Sequence, residues 1–210
     1  MTKWTSREVK KLKENPNDLP WDDLRVPISS VRVSGSKPPT QREYKGGAVL
    51  GFSTSSDQQV FFIVQLPHSW AEETPINAHI HWTIPTSGSG GGAETVTWVF
   101  THSWANIDDV LPAETTSTVT KDVQDITAAT HMLTDIVEIE AKGKRVSSCL
   151  LCSLMRDVSE DNYGYEAYLM EIDFHFQSDS NGSYFQSHKL TDDRAKQKGN
   201  PDTKFKSGAW

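Results

Sequence analysis

The stretch MEIDFHF at residues 170–176 alternates apolar and polar side chains at every position. Because successive side chains of a β-strand point to opposite sides, it predicts a strand with one buried and one wet face. The predicted buried face consists of Met170, Ile172, Phe174 and Phe176, and the wet face of Glu171, Asp173 and His175. Residues 94–102 repeat the pattern, with Val96, Trp98 and Phe100 facing inward and Thr95, Thr97 and Thr101 facing outward. One wet face per strand is typical of antiparallel sheets.

Short runs rich in β-branched and aromatic residues, bounded by Gly, Pro, Ser and Asp, predict about eight strands. The predicted strands are residues 24–33, 48–52, 60–66, 76–84, 94–102, 115–123, 135–141 with 146–155, and 163–176. We expect the Gly-rich residues 88–92 to form a hairpin tip, residues 142–144 to form a tight hairpin turn, and residues 123–132 to be helical. So many short strands predict an all-β, antiparallel two-sheet sandwich, first a jelly roll and second an immunoglobulin-like arrangement.

The chain of 210 residues is long enough for one sizeable hydrophobic core, and its seven Trp argue against a disordered protein. It contains no run of about 18 apolar residues, and its first residues lead into charged ones. We therefore expect one main domain that is made in the cytoplasm, with neither a membrane span nor secretory targeting.

The net charge of −7 is distributed unevenly along the chain. Residues 1–14 and 188–210 each carry a net charge of +3, which leaves −13 for the residues between them. An acidic body argues against broad nucleic-acid binding, because phosphate affinity comes from clustered Lys and Arg. Basic ends favour arms that lie on another protein surface, although two solvated tails would carry the same charge. We therefore expect an N-terminal arm (1–23), a β-sandwich body (24–178) and a C-terminal arm (179–210).

The arms carry the residues that we expect to bind a partner. Residues 5–8 (TSRE) have the pattern of a capping box and predict a short N-terminal helix, which is marginal alone and needs a surface to lie against. Tryptophans in polar arms have no core of their own, and each would gain on the order of a few kcal/mol by entering a pocket. The predicted partner-binding residues are Trp4, Val9, Leu12, Trp21, Lys189, Arg194, Lys204, Lys206 and Trp210.

His79 and His81 are the candidate metal ligands of the sequence, because an i, i+2 pair on a strand places both imidazoles on one face. The next acidic residue is Glu94, so no third ligand lies nearby along the chain. Three further histidines come close only if the fold brings them there: His68, His102 and His175. The alternatives are histidines on a wet sheet face, histidines at a subunit contact, or a metal on a symmetry axis to which each copy supplies one His. We expect no cofactor and no resident metal.

Cys149 and Cys152 form a C-x-x-C pair inside a predicted strand. Residues three apart on a strand point to opposite faces, and no second pair completes a zinc site, so we interpret both as free thiols. The sequence also contains no Gly-x-Ser-x-Gly elbow and no Gly-rich loop that follows a strand and opens a helix. We therefore expect no enzymatic activity.

Five phrases of the sequence resemble small virion-associated proteins of tailed bacteriophages. They are WDDLRVP (21–27), LPHSW (66–70), HIHW (79–82), WANI (104–107) and EIDFHF (171–176). The resemblance covers residues 21–187 and leaves out both basic ends. Capsid decoration (cement) proteins of such phages are often β-sandwich trimers that sit where capsomers meet and extend terminal arms over the shell. The resemblance implies a decoration protein on the capsid exterior of the virion, with the major capsid protein and further copies of itself (a homotrimer) as partners.

This implied role agrees with the acidic body, the basic arms and the arm tryptophans. We expect a structural protein that stabilises the capsid through its arms and binds neither membrane nor nucleic acid. The alternative is a tail or fibre protein that recognises a host glycan through Trp70, Trp104 or residues 102–112. Aromatic residues at strand ends line such sites when they do not close the end of a sandwich.

Overall fold

The computed structural model describes residues 19–179 and 182–183. Within these residues the chain forms eleven β-strands and one short 3-10 helix, Ile28–Ser30. The strands are β1 (Trp21–Pro27), β2 (Arg32–Val33), β3 (Thr40–Tyr44), β4 (Gly47–Phe52), β5 (Gln58–Gln65), β6 (Ile76–Thr83), β7 (Thr95–Ala105), β8 (Thr115–Asp122), β9 (Met132–Ile139), β10 (Cys149–Arg156) and β11 (Ala167–Gln177). In this part of the chain, no helix is long and apolar enough to cross a membrane.

The strands form two antiparallel sheets. Sheet A has the order β3-β4-β11-β6-β9, with β1 also paired to β11, and sheet B has the order β2-β5-β10-β7-β8. Between β4 and β11 the chain crosses repeatedly from one sheet to the other. As a result β4-β11-β6-β9 of sheet A faces β5-β10-β7-β8 of sheet B, and this is the strand order of a jelly roll. The predicted two-sheet jelly roll is therefore confirmed. The predicted N-terminal helix lies outside the described residues.

The core lies between the sheets, and aromatic side chains dominate it. Val96, Trp98 and Phe100 of β7 are fully buried, as the alternation of residues 94–102 predicts. The ring of Trp98 meets those of Phe52 and Trp82 edge to face, with centroids 5.1 and 5.5 Å apart. Each such side chain stabilises the fold by about 1.5–3 kcal/mol through burial alone. The aromatic contacts join both sheets into one core.

The side-chain directions predicted for residues 170–176 hold for all but the first residue, although Asp173, predicted on the wet face, is only 4% exposed. Ile172, Phe174 and Phe176 are buried, but the register of β11 against β6 shifts between Leu169 and Glu171. A β-bulge adds one residue to a strand and so changes which side its neighbours face. Leu169 is therefore the buried residue at this end, and the predicted inward position of Met170 is wrong.

The predicted strand at residues 24–33 is two strands that belong to different sheets. Pro27 ends β1, the 3-10 helix Ile28–Ser30 turns the chain, and β2 then pairs with β5 in sheet B. Proline has no backbone N–H for a further ladder bond, so the strand ends there. The strand β3 is absent from the prediction because its residues, TQREY, carry little apolar pattern. It joins β4 through Lys45 and Gly46, whose φ angles of 51° and 83° are the left-handed values of a tight hairpin turn.

Three predicted connections are wrong. Residues 88–92 link β6 in sheet A to β7 in sheet B, and residues 142–144 lie between β9 in sheet A and β10 in sheet B, so neither forms a hairpin. The predicted helix at residues 123–132 is a pair of turns closed by Ile126 N–H on Val123 O and Thr130 N–H on Thr127 O. These turns pack against the Gly-rich segment, where a Cβ on Gly88 would lie 2.2 Å from two backbone oxygens.

Arg156, at the end of β10, is a fully buried cation that ties three segments together. Its guanidinium donates to both Asp161 carboxylate oxygens at 2.7 and 3.0 Å. It also donates to the backbone oxygens of Phe52, Tyr163 and Tyr165 at 2.8–3.1 Å. A buried charge is tolerated only when it is paired and hydrogen-bonded, and Arg156 meets both conditions. We therefore assign Arg156 and Asp161 a structural role.

Candidate functional site

Trp21 is the one predicted partner-binding residue that falls within the described part of the chain. It is the first residue of β1, pairs with Gln177, and leaves 55% of its surface exposed. Residues 21–23, assigned to the N-terminal arm, thus belong to sheet A. The other predicted partner-binding residues lie outside the described residues: Trp4, Val9, Leu12, Lys189, Arg194, Lys204, Lys206 and Trp210.

Trp70 and Trp104 close one end of the sandwich. Both are buried, and their ring centroids lie 5.8 Å apart. The Trp70 indole N–H donates to Thr74 O at 3.2 Å and that of Trp104 donates to Ser148 Oγ at 2.9 Å. Because both rings are enclosed and their polar atoms satisfied, neither offers a stacking surface for a glycan.

Cys149 and Cys152 are free thiols on opposite faces of β10, as predicted. Cys149 is half-buried and pairs across the strands with Gln65 and Ala105, whereas Cys152 is buried beside Phe62 and His102. Burial raises the pKa of the Cys152 thiol well above its ordinary value and so disfavours the reactive thiolate. The C-x-x-C pair is not a metal or redox site.

Across its four main strands, the outer face of sheet B carries one charged side chain, that of Asp122 at the last position of β8. Its other outward residues include Gln59, Phe61, Ile63 and Gln65 of β5, Cys149, Leu151, Ser153 and Met155 of β10, Thr97, Val99, Thr101, Ser103 and Ala105 of β7, and Thr116, Thr118 and Thr120 of β8. We call these residues the neutral face. Charges flank it at Arg32 of β2 and at Glu114 and Asp122 at the two ends of β8. In a body (residues 24–178) with 10 Lys and Arg against 19 Asp and Glu, a net charge of −9, such a surface is unusual.

An aliphatic and aromatic strip occupies one side of the neutral face. Phe61, Ile63 and Leu151 are 42%, 68% and 43% exposed, and register places Ile63 directly opposite Leu151. The loop after β7 extends the strip with Leu111, and the Ser103 hydroxyl holds this loop by donating to Pro112 O at 2.7 Å. Large contiguous exposed apolar surfaces are typical of interaction sites.

The outer face of sheet A has the opposite character. Its outward residues on β1, β11, β6 and β9 include nine titratable or charged side chains: Asp23, Arg25, Glu171, Asp173, His175, His79, His81, Asp135 and Glu138. Arg25 forms a bidentate pair with Glu171, with both N–O distances at 2.7 Å. Arg25 is the one cation of fixed charge in this set, so negative charge and imidazole groups dominate the centre of the face.

His79, His81 and Asp173 converge at the centre of this face. His79 and His81 lie two residues apart on β6, and Asp173 is the cross-strand partner of His79 on β11. His79 Nε2 lies 2.5 Å from Asp173 Oδ1, and His81 Nε2 lies 3.3 Å from Asp173 Oδ2. His79 is fully buried and Asp173 nearly so, whereas His81 is half-buried. One carboxylate therefore faces two imidazoles.

Two further histidines flank this triad. The exposed His131, just before β9, places its Nε2 2.7 Å from Nδ1 of His81. His175 of β11 packs its ring 3.9 Å from that of His79, and its Nε2 lies 3.0 Å from Asp23 Oδ1 on β1. We call these six residues, His79, His81, His131, Asp173, His175 and Asp23, the histidine cluster.

The electrostatic environment of the cluster favours positive charge. Burial alone would lower the pKa of His79, but the neighbouring Asp173 carboxylate and the more distant Asp135 raise it above its ordinary value. Burial alone would raise the pKa of Asp173, but His79 and His81 lower it below its ordinary value. Both shifts have one cause, the attraction between a buried carboxylate and the group beside it.

The sequence contained part of this site. The pair His79 and His81 was visible from its spacing, and Asp173 and His175 were visible on the wet face of residues 170–176. What the sequence did not supply was the pairing of β6 with β11, because these strands are about 90 residues apart in the chain. No sequence signal singles out His131 or Asp23.

Comparison with known proteins identifies no family, and its matches concern the fold alone. No family model and no curated protein matches the chain. Among solved structures, a chain of the glycosylation-associated Gap123 complex from Streptococcus agalactiae matches with a TM-score of 0.40 and 13% identity over 75% of this chain. This chain spans 26% of the length of that one.

Two carbohydrate-binding modules match along most of their own length. TmCBM27, described for specific mannan recognition, has a TM-score of 0.37 and 11% identity over 75% of this chain and 89% of its own. CBM28, specific for non-crystalline cellulose, has a TM-score of 0.35 and 9% identity over 73% of this chain and 89% of its own. At these values the similarity concerns the β-sandwich fold alone and carries no argument about a ligand.

Proposed function

We propose that this protein is a capsid decoration (cement) protein of a tailed phage. In this proposal the jelly-roll body associates with copies of itself, as a homotrimer, through the neutral face. The arms, residues 1–20 and 179–210, whose basic segments are residues 1–14 and 188–210, bind the major capsid protein on the outside of the capsid. The role is mechanical and includes no catalysis.

The neutral face is the observation that carries the proposal. Interface cores are depleted of charged residues and enriched in large apolar ones, and the strip of Phe61, Ile63 and Leu151 beside rows of Thr and Ser has this composition. Copies with a net body charge of −9 repel each other wherever charged surfaces meet. Of the two outer sheet faces that the structure describes, the neutral face is the one on which copies can meet without that repulsion.

The size of the neutral face indicates why the arms are needed. Four strands of about eight residues cover roughly 20 Å by 25 Å, or on the order of 500 Å² per copy. A stable interface buries about 800 Å² per partner, so contact through this face alone would be weak. Arms that bind neighbouring subunits supply the missing buried area. They also hold the copies close together, which raises the effective concentration of one neutral face near another. Self-association and capsid binding should therefore reinforce each other.

Burial of Trp70 and Trp104 leaves the glycan-binding alternative without its aromatic platform. The loop at residues 102–112 exposes Ile107, Val110 and Leu111, which are aliphatic and do not stack on sugar rings as aromatic side chains do. We therefore retain the decoration protein as the single proposal.

The copy number per particle tests the proposal. We expect hundreds of copies per purified virion by quantitative mass spectrometry against the major capsid protein. Addition of the full chain to capsids that lack it should saturate at the same number, and chains without residues 1–18 or 184–210 should reach a lower occupancy. A dozen copies or fewer would place the protein in the tail and contradict the proposal. Full occupancy by both truncated chains would contradict the role of the arms.

A further inference from the structure

The histidine cluster contains a set of ligand atoms that a transition metal could bridge. One ring nitrogen of His79, one of His81 and one Asp173 carboxylate oxygen all lie within 4.8 Å of one another. A tetrahedral Zn²⁺ ion with bonds of about 2.0–2.2 Å holds its ligands roughly 3.3 Å apart. The 3.3 Å contact matches this spacing and the 2.5 Å contact is shorter, so His79 and Asp173 would move apart by about 0.8 Å to share one ion.

The buried ion pair of the cluster, between His79 and Asp173, lacks hydrogen-bond geometry. His79 Nε2 and Asp173 Oδ1 approach to 2.5 Å, but they are not aligned for a hydrogen bond and have no other bond among the described residues. His79 is fully buried, and Asp173 is 4% exposed. A cation shared by these two atoms would bond both of them in place of this ion pair.

His131 is placed to orient the metal ligand His81. Its Nε2 lies 2.7 Å from His81 Nδ1, a distance at which one nitrogen donates and the other accepts. When His81 Nδ1–H donates to His131, His81 Nε2 presents its lone pair toward Asp173. Metal-binding histidines commonly donate their second ring N–H to a fixed acceptor in this way, which sets the tautomer and the ring orientation. His131 is therefore a positioning residue.

We propose that His79, His81 and Asp173 bind one divalent transition-metal ion per chain, with Zn²⁺ preferred over Mg²⁺ and Ca²⁺. Imidazole nitrogens favour zinc, copper, nickel and iron, whereas magnesium and calcium prefer all-oxygen sites. The half-exposed side of His81 leaves a fourth coordination position open to water or to a partner ligand. This ion would cross-link β6 and β11, two neighbouring strands of sheet A.

The proposal departs from the expectation drawn from the sequence, which included no resident metal because no third ligand was visible. The fold supplies that ligand from β11. It also makes a shared ion on a symmetry axis unnecessary, because a single chain provides all three groups.

Titration of the untagged full chain with Zn²⁺ tests the site. After treatment with EDTA and its removal, isothermal titration calorimetry should show saturable binding of one Zn²⁺ per chain and at least tenfold weaker binding of Mg²⁺. His81→Gln should weaken Zn²⁺ binding at least tenfold. The matched control, His68→Gln, removes a histidine that bonds Ser147 and Ser183 and is not a member of the cluster, and it should bind Zn²⁺ within twofold of the wild-type chain.

A second readout covers variants that fold poorly. Co²⁺ bound by nitrogen and oxygen ligands absorbs visible light, and we expect this band in the wild-type and His68→Gln chains and its loss in His81→Gln. Circular dichroism of each variant confirms that it is folded. The proposal is overturned if the wild-type chain binds no Zn²⁺, if it binds one ion per three chains, or if folded His81→Gln binds Zn²⁺ as the wild-type chain does. Equal losses in His175→Gln and His81→Gln would overturn the assigned ligand set.

Discussion

The two outer faces of this jelly roll are built on the same strand geometry and differ in almost every other respect. The outer face of sheet A gathers carboxylates, imidazoles and an Arg25–Glu171 pair, whereas the neutral face of sheet B is uncharged and has a single charge, Asp122, at its β8 edge. Since a wet sheet face normally carries mixed charge, the neutral face is the exception that needs an explanation. We explain it by contact with other copies, and the histidine cluster by ion binding.

The largest expected effect is a charge placed on the neutral face. Leu151→Asp removes apolar contact and buries an unpaired carboxylate at the proposed interface, so self-association should weaken on the order of 1,000-fold, about 4 kcal/mol. Sedimentation velocity over a range of protein concentrations measures the change.

Leu133 provides the matched control for this prediction. It is 44% exposed on the outer face of sheet A, against 43% for Leu151. Leu133→Asp should leave the association constant within about threefold of the wild-type value, because its face stays in water. Equal effects of the two substitutions would show that the neutral face has no special part in association.

The second effect is a loss of stability when a buried polar side chain is substituted, compared between one residue on each outer face. Asp173 is 4% exposed on sheet A and Ser153 is 7% exposed on sheet B. Asp173→Asn leaves the buried His79 without its carboxylate and should lower the free energy of unfolding by about 3 kcal/mol. Ser153→Ala loses one hydrogen bond from Gln59 and should cost about 1 kcal/mol. Urea unfolding in EDTA measures both, and an equal cost would mean that the cluster contributes no buried electrostatic stabilisation.

The third effect is a pH dependence that originates in sheet B. His102 is buried against Phe100 and Cys152 without a carboxylate, and burial lowers its pKa below 6.5. The unfolded chain then binds a proton at His102 more readily than the folded chain. The stability that comes from burying neutral His102 is therefore fully present above pH 6.5, and it is lost as the pH falls from 6.5 through the lowered pKa of the folded chain. His102→Gln should flatten this loss by up to about 1.4 kcal/mol per pH unit. Urea unfolding between pH 5 and 7 measures the slope, and an unchanged slope would contradict the assignment.

The smallest effect concerns the exposed ion pair on sheet A. Arg25 and Glu171 bond at 2.7 Å, but the Arg25 side chain is 67% exposed. Such pairs contribute about 0.2–1 kcal/mol because water and salt screen them. Arg25→Gln should therefore lower the free energy of unfolding less than any of the changes above, with little effect in 0.5 M salt. A larger cost that persists at high salt would mean that the pair has a packing role.

Alternation along single strands was the most reliable sequence signal. It identified the inward residues of β7 and most of those of β11, because side-chain direction in a strand is a local property. It failed at Met170, where the β-bulge changes which side of the sheet the next residues face. It also failed at residues 24–33, where β1 ends at Pro27 and the chain continues into the other sheet. The Gly-rich residues 88–92 predicted a hairpin because composition indicates a turn without showing which strands it joins.

The candidate sites required the sheet order as well as the alternation. The cluster depends on β6 lying beside β11, and the neutral face depends on the outward residues of four strands being considered together. Phe61 and Ile63 were visible in the sequence, but only the structure shows that they are exposed beside Leu151. Long-range strand pairing is a tertiary property that local patterns do not contain.

A density map of the assembled particle tests the central claim most directly, because it shows what covers each outer face. We predict that the neutral face, including Ile63 and Leu151, is buried against a neighbouring copy, with the histidine cluster outside that contact. A map in which the neutral face is open to solvent, or in which the copies meet through the outer face of sheet A, would contradict this account.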